Sequence, residues 1–158
     1  MQNRHDKKEH DDIHKSLLET LSENLHDIYN RLNKIKQNSN TYDFDQNFYQ
    51  HFGFEYFDID ISKAVIIKLM DVKLFPENKD IFKRIIKLFD MLQLLNGQIK
   101  NYGNLLLSGV TDASPNNSLQ SDRFEIFTKI DSITAFIKDN YSQNNSSLME
   151  EIENIKID

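Results

Sequence analysis

Histidines, a basic run and a knot of aromatic rings are the groups in this chain whose types and spacing could do chemistry. His10 and His14 stand at H-x-x-x-H spacing, which places two imidazoles on one face of a helix. With Asp11 between them, the segment looks like a shortened H-E-x-x-H zinc motif. A metal-dependent hydrolase built on His10 and His14 would need a third protein ligand and a carboxylate reaching the metal-bound water. The sequence signposts neither, and Asp11 is a methylene shorter than Glu. A solvated, charged helix start is the plainer reading. Glu23-Asn24-Leu25-His26 is a Glu-x-x-His tetrad of the kind that holds metal pairs inside bundles, but no second copy accompanies it. His26 and His51 are isolated and read as structural or exposed. There is no Gly-rich phosphate loop and no G-x-S-x-G. With no Cys there is no thiolate nucleophile, thiolate metal site or disulfide framework. No cofactor is expected.

The second group is cationic. Lys63, Lys68, Lys73, Lys79, Lys83, Arg84 and Lys87 could share a face across two helices and bind an anionic surface. The chain as a whole carries a net charge of −6, which argues against a general nucleic-acid binder. Residues 37–60 hold five acids and no Lys or Arg, residues 61–107 eight bases and four acids, and residues 108–158 nine acids and four bases. A cationic region between acidic flanks neutralises itself within a fold. The aromatics that would stack on bases lie in the acidic segment instead.

That segment holds Tyr42, Phe44, Phe48, Tyr49, Phe52, Phe54, Tyr56 and Phe57, eight of the seventeen aromatic residues. So many rings left in water would make a sticky patch. They read as an irregular connection, with a short helix at 44–51, laid over an open end of the protein. The alternative use of Phe48, Tyr49, Phe52, Phe54, Tyr56 and Phe57 is an apolar surface for a partner, shared with Leu148 and Ile152 near the C-terminus.

Long helices must position these groups. Leu18, Leu21, Leu25, Ile28, Leu32 and Ile35 form one stripe at 3-4 spacing; Ile85, Leu88, Leu92, Leu95, Ile99, Tyr102 and Leu106 form another. A repeat sustained this long asks each helix to pack lengthwise on a neighbour. The first helix is expected from Asp12 or Ile13 to Lys36 or Gln37, after a charged, flexible lead-in over 1–12. A second, well-buried helix spans Asp60 or Ser62 to Met70 or Asp71. The third, expected to be the longest, runs from Glu77, behind Pro76, to Leu107. Gly97 and Gly103 lie inside it, there to allow close approach or a slight bend. A mobile loop over 108–118 leads to a fourth helix from Leu119 or Ser121 to Asn140. Ser147 and Glu150 have capping-box spacing for a short amphipathic helix over 148–156.

The expected fold is all-α, an up-and-down bundle of three long helices and one shorter buried helix, closed by the aromatic connection. The bundle domain spans 13–141, with a polar linker and the short helix in 142–158. No apolar run approaches the roughly 18–20 residues of a membrane helix, and the first residues lack a signal-peptide core. A cytoplasmic location is expected, with membrane tethering as the alternative if the natural chain is longer.

Several segments resemble those of small bacterial helical domains of unassigned function that often follow a membrane anchor. His14-Lys15-Ser16-Leu17-Leu18-Glu19, Glu23-Asn24-Leu25 and Ile28 are similar to their opening helix. Ser62-Lys63-Ala64 leading to Leu74-Phe75-Pro76-Glu77 is similar to their buried helix and turn, and Leu95-Asn96 with Ile99 to their third helix. The likeness spans residues 10–107 and departs at Val65, where those domains often carry Trp. It implies a tethered or accessory interaction domain. Together with the long helix faces, this leads to a non-catalytic interaction or scaffold module that binds a protein partner or a second copy of itself.

Overall fold

Both apolar stripes become the inner faces of long helices within one chain. The computed structural model describes residues 4–37, 41–46, 48, 57, 59–70, 77–139 and 147–155, except the side chains of 4–7, 9–11, 41–43, 61–62 and 139. Among these the protein is all-α. The helices are α1 (Arg4–Gln37), α2 (Thr41–Gln46), α3 (Asp60–Met70), α4 (Lys79–Leu107), α5 (Leu119–Asp139) and α6 (Leu148–Glu153). Every residue of the α1 stripe is buried, as are Ile85, Leu88, Leu92, Leu95, Ile99 and Tyr102 of the α4 stripe. The α1 seam is therefore covered from inside the chain, and the α4 seam as far as Tyr102, with Leu106 only half-buried.

The four longer helices form an up-and-down ring in which α1 packs on α3 and α5, and α4 on α5 and α3. Pairs along the seams give the directions. Gln98 reaches Glu125 (3.0 Å) and Arg123 reaches Tyr102 (3.1 Å), so α4 and α5 are antiparallel. Lys36 pairs with Asp131 (3.2 Å), while Lys138 lies over the Tyr29 ring, so α1 and α5 are antiparallel as well. Lys63 donates to Gln93 on α4. Asn96 clamps the backbone of Phe57, just before α3, accepting from its N–H (3.1 Å) and donating to its C=O (2.9 Å). The Asn96-Gly97 pair, which in isolation suggests a turn, thus sits inside a continuous helix.

Unequal helix lengths decide the rest. With 34, 29 and 21 residues, α1, α4 and α5 are about 51, 44 and 32 Å long. Where α5 ends beside Tyr29, α1 continues towards its own N-terminus. There α6 docks, burying Leu148, Met149 and Ile152 against α1, α4 and α5. At the opposite end α1 stops near Asp131, whereas α4 and α5 run on. Here Phe44 of α2 and Phe48 take its place, packing on Tyr102 at ring centroid distances of 5.5 and 5.3 Å. Phe44 also meets Phe127 at 4.8 Å. Of the aromatic connection, Phe44 and Phe48 close an open end.

Several boundaries differ from expectation. The helix α1 begins at Arg4, inside the lead-in, because residues 4–12 contain no Gly or Pro and their charged side chains tolerate helix. That makes α1, not α4, the longest helix. The short helix expected over 44–51 lies at Thr41–Gln46. Only part of α3 is buried: Val65, Ile66 and Leu69 face inward, but Ile67 is 63% exposed. The segment 108–118 is fastened rather than loose. Gly109 (φ 80°) ends α4 in the left-handed conformation, Val110 donates to the Leu105 carbonyl, and Asp112 pairs with Arg123 at 2.8 Å. Ser147 caps the helix as its spacing to Glu150 predicts, its hydroxyl accepting from the Glu150 N–H at 3.3 Å.

The two interior glycines of α4 have different environments. A Cβ at Gly103 would stand 2.9 Å from the buried Phe48 ring, whereas one at Gly97 would meet nothing within 4 Å. Gly97→Ala is therefore expected to stabilise the protein by roughly 0.5–1 kcal/mol. Gly103→Ala should destabilise it, since an overpacking cost of about 1–3 kcal/mol outweighs the same gain in helix propensity. Urea denaturation of both variants checks this; equal effects would mean that Gly103 is not a close-approach position.

Candidate functional site

The residues singled out in the sequence do not converge on one place. Phe48, Phe57, Leu148 and Ile152 are buried in the core. Phe48 and Leu148 plug the bundle ends, and Phe57 packs just before α3, so none of these three presents a face to a partner. Phe57 is also covered by the Arg31 guanidinium, 4.5 Å above its ring. Tyr49, Phe52, Phe54 and Tyr56 lie outside the described residues. His14 is buried on α1, the side chain of His10 lies outside the described residues, and His51 does too. Among the described residues no group of three His, Asp or Glu side chains stands together to hold a metal ion.

The cationic set is also divided. Lys68, Lys79, Lys83 and Lys87 are exposed, and Lys87 lies over the Phe136 ring. Arg84 instead points inward to Glu151 of α6, with both side chains only 12% exposed. Lys73 is outside the described residues. The face expected over 63–87 thus loses Arg84 to an internal ion pair that fastens α6.

Sequence reasoning missed a buried polar cluster at the aromatic end. Arg123, whose side chain is 6% exposed, donates to Asp45 (3.1 Å), to Asp112 (2.8 Å) and to the Tyr102 hydroxyl (3.1 Å). Tyr102 in turn donates to Asp45. Burial, then the hydrogen bond to Asp45 and its charge, push the Tyr102 hydroxyl well above its ordinary pKa, with Arg123 opposing in part. Burial works against the Arg123 charge, but the hydrogen bond to Asp45 and the surrounding groups outweigh it and raise its pKa. This arrangement holds a neutral phenol and a paired cation, which positions α2 and the 108–118 segment on α4 and α5. One signal was present: Arg123 stands in phase with Leu119, Ile126, Ile130 and Ile137, a cation on an apolar stripe.

The open feature lies at the other end. Lys15, Leu18, Glu19, Ser22 and Glu23 of α1 face Ile152, Glu153 and Ile155 across a groove of about 550 Å³. The α1 positions follow 3-4 spacing and so share one face. Leu18 and Ile152 form a nearly closed apolar floor, with Ile155 half-buried beside them. Glu19, Glu23 and Glu153 stand exposed on the rim. His26 lies beside Glu153 at 2.5 Å. A volume of this size is in the range of natural ligand sites, which span about 300–1,000 Å³.

No family model, curated protein or solved structure matches this chain. Among the described residues no helix is long and apolar enough to cross a membrane.

Two outcomes follow from this geometry. Because the folded state holds the Tyr102 proton more tightly than the unfolded chain does, its contribution to stability is complete below pH 10.0, the ordinary value, and declines as pH rises beyond it. Tyr102→Phe should cost about 1–3 kcal/mol near neutrality and flatten the alkaline fall in stability; parallel pH profiles for the two proteins would contradict this. Removing residues 147–158 deletes the buried apolar side chains of Leu148, Met149 and Ile152, each contributing roughly 1.5–3 kcal/mol. A large drop in melting temperature is expected, whereas an unchanged one would mean that α6 is not part of the core.

Proposed function

We propose that this protein is a non-catalytic helical interaction module that binds a protein partner through the groove between α1 and the C-terminal segment. The observation that carries this reading is the groove itself, an apolar floor bordered by exposed charges on α1 and the C-terminal segment. Binding sites of this construction seat an apolar anchor and orient it by polar contacts at the rim. A membrane-tethered location is compatible with this reading. The reading is preferred to hydrolysis through His10 and His14 because His14 belongs to the buried face of α1. It is preferred to an anionic-surface binder because Arg84 is engaged with Glu151.

The test places a photo-crosslinking residue at Ser22, in the groove wall, and separately at Lys100, an exposed position on α4. The expected outcome is a covalent adduct to the same polypeptide in independent cultures, formed from Ser22 but not Lys100, and suppressed by excess unlabelled protein. No adduct from Ser22 in well-expressed, folded protein would overturn the reading.

A further inference from the structure

The groove between α1 and α6 has a chemistry that selects its occupant. Its floor is apolar, through Leu18, Ile152 and Ile155, and its rim carries Glu19, Glu23 and Glu153 against the single Lys15. Among the described residues neither Glu19 nor Glu23 is in an ion pair, and the acid on the facing element, Glu153, has His26 beside it. Glu19 and Glu23, one helical turn apart, carry like charges that repel each other, and a cation arriving between them relieves that repulsion. The apolar strip below them adds nothing to the binding of a ligand that is only charged. It gains from one that also buries an aliphatic or aromatic side chain.

We infer that the groove takes a basic amphipathic segment of a partner protein, with an apolar side chain seated on Leu18, Ile152 and Ile155 and a Lys or Arg placed between Glu19 and Glu23. This rests on the interaction-module reading above and narrows it to a partner chemistry. An acidic segment is turned away by the same rim, because like charges brought together across an interface cost affinity. Because the rim carboxylates are exposed, their attraction is screened by salt, and the association weakens as ionic strength rises. The α4 surface of a second copy offers a competing occupant, since Lys83, Ile86 and Lys87 are all exposed there.

A random displayed peptide library of roughly 12 residues, a little over three helical turns, is selected against the full chain. Glu19 and Glu23 are exposed, so the double variant Glu19→Lys/Glu23→Lys can be made without entering the core, and circular dichroism verifies its fold. The expected result is enrichment of sequences that combine Lys or Arg with Leu, Ile or Phe, binding the double variant about tenfold more weakly. Enrichment of acidic or uncharged sequences, no enrichment, or equal binding to the double variant would each overturn the inference. Full displacement of the selected peptides by spermidine at its own charge-equivalent concentration would also overturn it, because the apolar floor would then contribute nothing. Light scattering of the unmodified protein completes the test. A dimer abolished by the double variant assigns the groove to a second copy and overturns the separate-partner inference; a monomer retained at all concentrations supports it. An adduct from Ser22 to a polypeptide lacking any basic amphipathic segment would sink this inference while leaving the interaction-module reading intact. Loss of both the adduct and the peptides would remove the two together.

Discussion

Everything at the two ends of this bundle depends on one geometric constraint: its long helices are unequal. An apolar stripe must be covered along its whole length, because each uncovered Leu or Ile forgoes roughly 1.5–3 kcal/mol of burial. The α5 helix is too short to cover α1, and α1 stops too early to cover the far half of α4 and α5. Two non-bundle elements make up the difference. The α6 helix continues the layer that α5 leaves unfinished, and the aromatic connection through Phe44 and Phe48 continues the layer that α1 leaves unfinished.

Both plugs are small, and each is fastened by a partly buried ion pair as well as by packing. Arg123 holds Asp45 of α2 and Asp112 of the α4–α5 connection. Arg84 holds Glu151 of α6. A buried ion pair is a weak source of net stability, because desolvation offsets much of its attraction, yet removing one partner is costly. Its effect here is directional. Apolar contacts alone would let a six-residue helix slide or rotate on the bundle, whereas a guanidinium with two or three required partners admits one placement. The same placement removes Arg84 from the cationic face and leaves the exposed lysines of α4 as a thinner surface feature.

The groove is a by-product of the same mismatch. Because α6 is only six residues long, it covers the apolar face of α1 at Ile152 and leaves Leu18 bordered by a channel. Charged residues that would be an ordinary solvated helix face on a fully covered α1 become the rim of a binding-sized cleft. The apolar floor and the acidic rim therefore come from two different requirements, one for burying α6 and one for keeping α1 soluble.

Much of the fold was legible in the chain before any coordinates. The 3-4 stripes of α1 and α4 located the core residues correctly, because a helix surface has a fixed period and apolar residues on it have one favourable destination. The capping box at Ser147 and Glu150 placed the start of α6 for an equally local reason. The aromatic segment was recognisable as a plug because so many rings cannot remain in water. The groove and the polar cluster were not legible. Glu19 and Glu23 look like any exposed turn of helix until Ile152 and Ile155 are brought opposite them from more than a hundred positions away. Arg123 looks like an out-of-place cation until Asp45, Tyr102 and Asp112 gather around it. What local chemistry can set, the period, the caps and the sign of each face, the sequence determined by itself. Which charged groups are buried together and which border an opening was decided only by the tertiary structure, because burial and charge pairing depend on distances between elements that no local pattern encodes.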